Sequence, residues 1–240
     1  MTHTLQEAEA LIHASQEKNI KIQIGHVERF NPAILALDNM TLAPMFIEAH
    51  RLAIFNPRGT DVSVILDLMI HDLDIVLSLV DSEVKAIHAS GVNVVSDTPD
   101  ISNVRLEFEN GCVANLTASR ISMKQMRKVR LFQQDAYISM DFLEKNAQVI
   151  RLYDEGSKDL PSETNLLELE TNTGKKHIHI HIPETEPVNA IQMELETFAE
   201  SILQNKKPRV TIEDGYHAMK IAYQIIEEIE RKTKKLFKNS

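Results

Sequence analysis

Between residues 84 and 182 the chain is written almost wholly in alternating and β-branched segments. EVKAIHASGVNVV, ISNVRLEFENGCVANLTASRIS, MRKVRLFQQDAYISMDFLEKNAQVIRLY and KKHIHIHI follow one another with short polar breaks. Spacing of two puts the apolar side chains on one face of a strand. Successive strands with so little chain between them must pair antiparallel, because a parallel crossover consumes a dozen residues or more. Asn110-Gly111, between two of these runs, suits a tight hairpin turn. Residues 154–174 are polar and contain glycine, so they read as an excursion off the sheet. One broad antiparallel sheet is the constraint that everything else must satisfy.

The flanking segments read as helices. Thr4 and Glu7 form a capping box, with Leu5, Ala8, Leu11 and Ile12 recurring at helical spacing behind it. Ile20, Ile22 and Ile24 alternate with polar residues and predict a strand. Asn31 and Pro32 suit the start of a second helix. Residues 45–55 read as a strand, 61–80 as one long helix, and 188–204 and 213–235 as two closing helices. The fold class expected is α+β: a predominantly antiparallel sheet covered by helices on one face. A lone helix and strand at the start cannot bury both their faces, so residues 1–25 look like the end of a larger α/β unit and 26–240 like a domain of their own.

Composition narrows the function classes. A net charge of −9 and a pI near 5.6 argue against nucleic acid, which needs a clustered positive surface. The basic runs at 124–130 and 231–238 read as solvated faces or a helix end. Cys112 is the only cysteine, so no internal disulfide forms and a reducing compartment follows. No stretch approaches the ~20 apolar residues of a membrane span, and the opening residues lack the pattern of a signal peptide. The expectation is a cytoplasmic protein with neither membrane nor nucleic-acid partners.

Residues 67–74, DLMIHDLD, put three aspartates and a histidine into an otherwise apolar helix. Val64, Ile65, Leu68, Ile75 and Leu79 mark its core face. On an α-helix Asp67 and His71, four apart, are neighbours at the border of that face, and His71 and Asp74 are also adjacent. A carboxylate beside an imidazole orients the ring and raises its pKa, which suits a general acid/base. The plain alternative is a surface ion pair worth on the order of 0.2–0.5 kcal/mol.

GHVERFNPAI (25–34) together with RLAIFNPRGTDVSVILDLMIHDLDIVLSLV (51–80) resembles the Gfo/Idh/MocA family of NAD(P)-dependent oxidoreductases, and among them the members acting on UDP-N-acetylglucosamine-type sugar nucleotides. The resemblance extends over nearly the whole chain, to EDGYHAMKIAYQI in the last helix. It implies the family's C-terminal domain for 26–240 and a remnant of its Rossmann domain for 1–25. It implies that His71 is the acid/base acting on a sugar or sugar-nucleotide hydroxyl, with Asp67 supporting it or touching the sugar. Arg29, Asn31 and Asp74 become candidates for substrate contact. For Arg29, a guanidinium that locks the turn to a helix end is an equal alternative.

The resemblance also shows what to look for and not find. Relatives hold NAD or NADP on a glycine-rich turn and carry a Glu-Lys-Pro signature. The seven glycines, at 25, 59, 91, 111, 156, 174 and 215, include no Gly-x-Gly, and Glu-Lys-Pro does not occur. The expectation is that this chain alone has no cofactor-binding residues, holds no NAD(H) and does not turn over. A non-enzymatic binding or dimerisation module, and one half of a split dehydrogenase, stand as alternatives.

Other features read modestly. His177, His179 and His181 share one face of a strand, ~7 Å apart and too far for a tight metal site without help; a polar outer face is the expectation, with no metal. Cys112 reads as a small core residue. Val104, Leu106, Phe108, Val129 and Leu131 suggest an apolar open sheet face, where relatives associate, so a homo-oligomer through that face is expected.

Overall fold

A computed structural model describes residues 2–57, 61–158, 160–161, 166–172 and 174–238. One nine-stranded sheet dominates. Its strands are β1 (Phe46–Leu52), β2 (Val84–Val92), β3 (Ile101–Phe108), β4 (Val113–Ser119), β5 (Met126–Phe132), β6 (Ala136–Asp141), β7 (Asn146–Asp154), β8 (Leu166–Thr171) and β9 (Gly174–His181). Their spatial order is β2-β3-β4-β1-β5-β6-β7-β9-β8. Every neighbouring pair is antiparallel except β1 with β4. The exception follows from connectivity: β1 reaches its place before β2–β4 and is separated from them by the helical segment 61–80, long enough for a crossover. The hairpin expected at Asn110-Gly111 joins β3 to β4. Gly111 takes φ +87°, and the Asn110 side chain accepts from the Cys112 amide at 2.9 Å.

Helices cover one face. They are α1 (Leu5–Lys18), the single-turn α2 (Pro32–Leu35), α3 (Ile70–Leu79), α4 (Ala190–Leu203) and α5 (Ile212–Lys238). The capping box at Thr4 and Glu7 forms as read. A second one, not anticipated, starts α5: Asp214 accepts from the Thr211 amide at 2.8 Å and Thr211 Oγ1 from the Asp214 amide at 3.1 Å. α5 lies against β2 at Gly91, where a Cβ would stand 3.1 Å from the Ile229 side chain. The close approach leaves little room for a side chain there.

Four local expectations are corrected. Residues 20–24 do not form a strand: only Gln23 pairs, in an isolated bridge to Thr211, because no neighbouring strand among the described residues offers a ladder. The helix begun at Asn31 ends after Leu35. The long helix 61–80 is two pieces, a π-turn over Ile65–Met69 followed by α3. Finally, Val104, Leu106, Phe108, Val129 and Leu131 face the helices as core, not the open side. Alternation told which residues share a face but not which face the helices would take.

The open face carries Phe46, Phe132, Tyr137, Ile150, Leu152, Ile178, Ile180, Leu167 and Leu169 instead, on adjacent strands. The histidines of β9 are correspondingly turned inward. His181 stands opposite Val149 and His179 opposite Arg151, and His179 is buried. The polar outer face expected of them is reversed, because the larger apolar residues of β9 took the open side. Among the described residues no three His, Cys, Asp or Glu side chains converge as metal ligands. Cys112 is buried as read, and burial pushes its thiol up to about 11.

Candidate active site

The charges inside the apolar helix are answered by cations from other elements. Asp72, 3% exposed on α3, is gripped by Arg51 of β1: Nε lies 3.0 Å from Oδ2 and Nη2 2.9 Å from Oδ1. Arg51 Nη1 also donates to Glu28 Oε1 at 3.2 Å, and Arg127 of β5 donates to the same oxygen at 3.2 Å. Arg51 and Arg127 stand directly opposite one another in the sheet, so Glu28 is what makes that like-charged pair tolerable. Burial alone would lower the Arg51 pKa; Asp72 and Glu28 outweigh it and hold the guanidinium more firmly protonated.

A second fork lies two residues on. Arg29 Nε donates to Asp74 Oδ2 at 2.7 Å and Nη2 to Oδ1 at 3.3 Å, with Asp74 buried. This is the locking role weighed for Arg29. Asn31 is buried and fully used: its Oδ1 caps α2 through the Ala33 amide, and its Nδ2 donates to Glu28 Oε2 at 3.1 Å and to the Phe142 carbonyl at 3.0 Å. Arg29, Asn31 and Asp74 thus tie the 3-10 turn Val27–Phe30 to α3 and the sheet.

His71 is half-buried on α3 and faces a cleft of about 370 Å³. Residues 24–26, the segment leading into α3 and the first turns of α5 wall this cleft, with Gly215, Met219 and Tyr223 among its lining residues. Arg29, Asn31 and Asp74 do not line it. The expected Asp67–His71 pair is absent: among the described residues His71 Nδ1 is buried with no hydrogen-bond partner, and Asp67 is exposed at the residue level, its carboxyl held above the ordinary value chiefly by partial desolvation, with Arg120 opposing and Asp61 adding. The cause is the π-turn, whose i→i+5 repeat breaks the four-residue alignment. The sign of the expected pKa shift is also reversed. Burial lowers His71 to about 4, helped by the Arg51, His26 and Arg127 charges against Glu28.

The residue missed from the sequence is His26. It is 6% exposed, lines the same cleft, and sets its ring edge-to-face with His71 at 5.7 Å and 86°. Its position directly after Gly25 in the quoted motif was a signal. The buried aspartates were another: a carboxylate on a core face demands a buried cation, and arginines on the buried register of β1 and beside β5 could have been sought.

A dinucleotide needs amides that cradle its pyrophosphate, usually a glycine-rich turn opening a helix. Among the described glycines, Gly91 lies in β2, Gly111 and Gly174 sit in sheet hairpins, Gly156 in a turn after β7, and Gly25 before a 3-10 turn whose side chains point to Asp74 and Arg51. Gly215 is in the first turn of α5, but its amide donates to the Thr211 carbonyl at 3.2 Å and the capping box takes the Thr211 and Asp214 amides. These residues do not fit a pyrophosphate site.

A mostly antiparallel sheet backed by helices, with an imidazole at a cleft beside the first segment, defines an α+β domain, whose family is given by its similarity to known proteins. The family model for the GFO/IDH/MocA C-terminal domain matches residues 48–138. UDP-N-acetylglucosamine 3-dehydrogenase from Acidithiobacillus ferrooxidans is 43% identical over 157 residues, 65% of this chain and 49% of that protein. The chain therefore spans about half the length of that curated relative. A solved structure of the same organism's enzyme, GnnA, superimposes with a TM-score of 0.82 at 33% identity, covering 96% of this chain and 69% of that one. Levoglucosan dehydrogenase in complex with NADH and L-sorbose shares the fold, with a TM-score of 0.74 at 16% identity over 95% of this chain and 69% of that one. The chain belongs to the Gfo/Idh/MocA family. No helix among the described residues is long and apolar enough to cross a membrane.

Proposed function

We propose that this chain is the substrate-binding and oligomerisation part of an oxidoreductase acting on a hydroxyl of a sugar or sugar nucleotide, with His71 as the group that takes and returns the hydroxyl proton. One observation carries the reading. A half-buried imidazole with no protein partner opens on a cleft, in a chain 33% identical to a UDP-N-acetylglucosamine 3-dehydrogenase. Oxidising an alcohol removes a proton from oxygen and a hydride from carbon. The low pKa leaves His71 neutral near pH 7, so the imidazole is free to accept that proton. Asp67 is exposed and does not line the cleft, so a contact with the sugar is the only one of its two expected roles still open to it, and only for a substrate reaching beyond the cleft. Arg29, Asn31 and Asp74 serve through the frame that holds the cleft wall.

NAD or NADP would supply the hydride acceptor in the whole enzyme. On this reading the chain alone neither holds it nor turns over, since among the described residues no glycine-rich turn opens a helix to grip a pyrophosphate. A UDP-N-acetylglucosamine titration of the labelled chain should move the His71 imidazole resonances, while NADH fluorescence should show no saturation. A silent His71, or a saturable micromolar NADH response, would sink the reading.

The open sheet face supports self-association. Leu152 and Ile180 are 37% and 41% exposed at the centre of a contiguous apolar patch, larger than a lone surface residue needs. Sedimentation at tens of micromolar should give a dimer or larger, and Ile180→Glu a monomer. A wild-type monomer would overturn the assignment.

A further inference from the structure

An imidazole that works on a substrate needs its ring plane fixed, and the usual device is a hydrogen bond at the nitrogen facing away from the reaction. His71 lacks it: among the described residues Nδ1 is buried and without a partner, and the exposed Asp67 does not bond to it. What touches the ring instead is His26. Its backbone is fixed on both sides, the amide donating to the Ile24 carbonyl at 2.8 Å and the carbonyl accepting from the Arg29 amide at 2.9 Å. The 3-10 turn that follows is bolted to α3 by the Arg29–Asp74 fork, and to β1 by Glu28 and Arg51. The two rings therefore come from two elements locked to each other by buried ion pairs. They meet edge to face at 5.7 Å, an arrangement favoured between rings.

We infer that His26 is a positioning residue of the site: its ring, not a carboxylate, sets the orientation of His71 and keeps water from the inner side of the imidazole. His26 Nδ1 is likewise buried without a partner, so the pair forms an apolar-like contact between two neutral rings. Burial is the largest cause lowering His26, as it is for His71, with Asp74 opposing and Arg29 assisting. Around His71 the charges that face it are Arg51 from β1, Arg127 from β5, Glu28 from the 3-10 turn and His26 itself. The two arginines disfavour the imidazolium at any pH, and His26 adds to them only once acid protonates it.

This inference rests on His71 being the working group of the cleft, but its test reads the ring pair directly. The His71 ring would be followed by NMR through an acid titration in the wild type, His26→Ala and His26→Phe. His26→Ala opens the inner side to water, so the His71 midpoint should rise from about 4 by roughly one pH unit or more, with loss of the single ring orientation. His26→Phe keeps a flat ring in the contact and should restore both. A His71 midpoint and ring order unchanged in His26→Ala would overturn the inference, whatever happens to thermal stability, and so would failure of His26→Phe to restore them. If the coupling is present but UDP-N-acetylglucosamine leaves His71 unmoved, the functional reading fails and the positioning role stands.

Discussion

Arg51→Ala is expected to lower the unfolding free energy by about 3–5 kcal/mol. Arg51 is 3% exposed and divides its guanidinium between Asp72 and Glu28. Truncation leaves Asp72 without a cation in packed interior, and the cost is that of an uncompensated buried charge rather than of a lost contact. Glu28 is hurt less, since Arg127 and Asn31 still donate to it. The double variant Arg51→Met with Asp72→Leu should recover much of the loss, because it removes both charges and roughly keeps the volume. Urea unfolding of the three proteins measures this. A single-variant loss below about 1 kcal/mol would mean that water or a rearranged side chain already compensates Asp72. The same experiment bears on the site, since Arg51 fixes Glu28 and with it the turn that carries His26.

Acid should destabilise the protein in two separate windows. For His71 the ordinary value is 6.5 and the folded value about 4. Between them the unfolded chain binds a proton that the folded chain refuses, so stability falls as pH falls from 6.5 toward 4. Full expression of that difference is on the order of 3 kcal/mol, and His26, lowered in the same sense, adds to it. Asp100 defines the second window. It is buried, which alone would raise it, but its carboxylate accepts from the Val94, Val95 and Ser96 amides at 2.8, 2.7 and 3.0 Å, and these hold it down to about 2. Its contribution is present above its ordinary value of 3.8 and is lost as pH falls from 3.8 toward 2. Urea midpoints at pH 7, 5 and 4 should decline in the wild type, and His71→Phe should flatten that decline while leaving the loss below pH 3.8 in place. A wild-type midpoint constant from pH 7 to 4 would contradict burial of neutral imidazoles.

The sheet was legible because its strands write their own period. Each β-segment from 84 to 182 needs only local alternation to announce itself, and Asn110-Gly111 needs only its own backbone freedom to make a turn. The capping box at Thr4 is equally local. The segment at 20–24 shows the limit: it alternates like a strand, but a strand exists only with a neighbour, and pairing reaches no further than Gln23. The π-turn at Ile65–Met69 shows another limit, since no residue there forbids an ordinary α-turn. That one widened turn separated Asp67 from His71 and undid the electrostatics drawn from their spacing.

Sequence alone determined that this chain builds a broad antiparallel sheet backed by helices and that its family is Gfo/Idh/MocA. Those are properties of short stretches, where each side chain sees only its near neighbours. Tertiary structure decided which sheet face is core, that Asp72 and Asp74 are answered by Arg51 and Arg29, and that His26 meets His71. Each of those pairs joins residues at least 21 positions apart. Their meeting depends on how elements pack, and in a low-dielectric interior that packing, not sequence spacing, sets which charges feel one another.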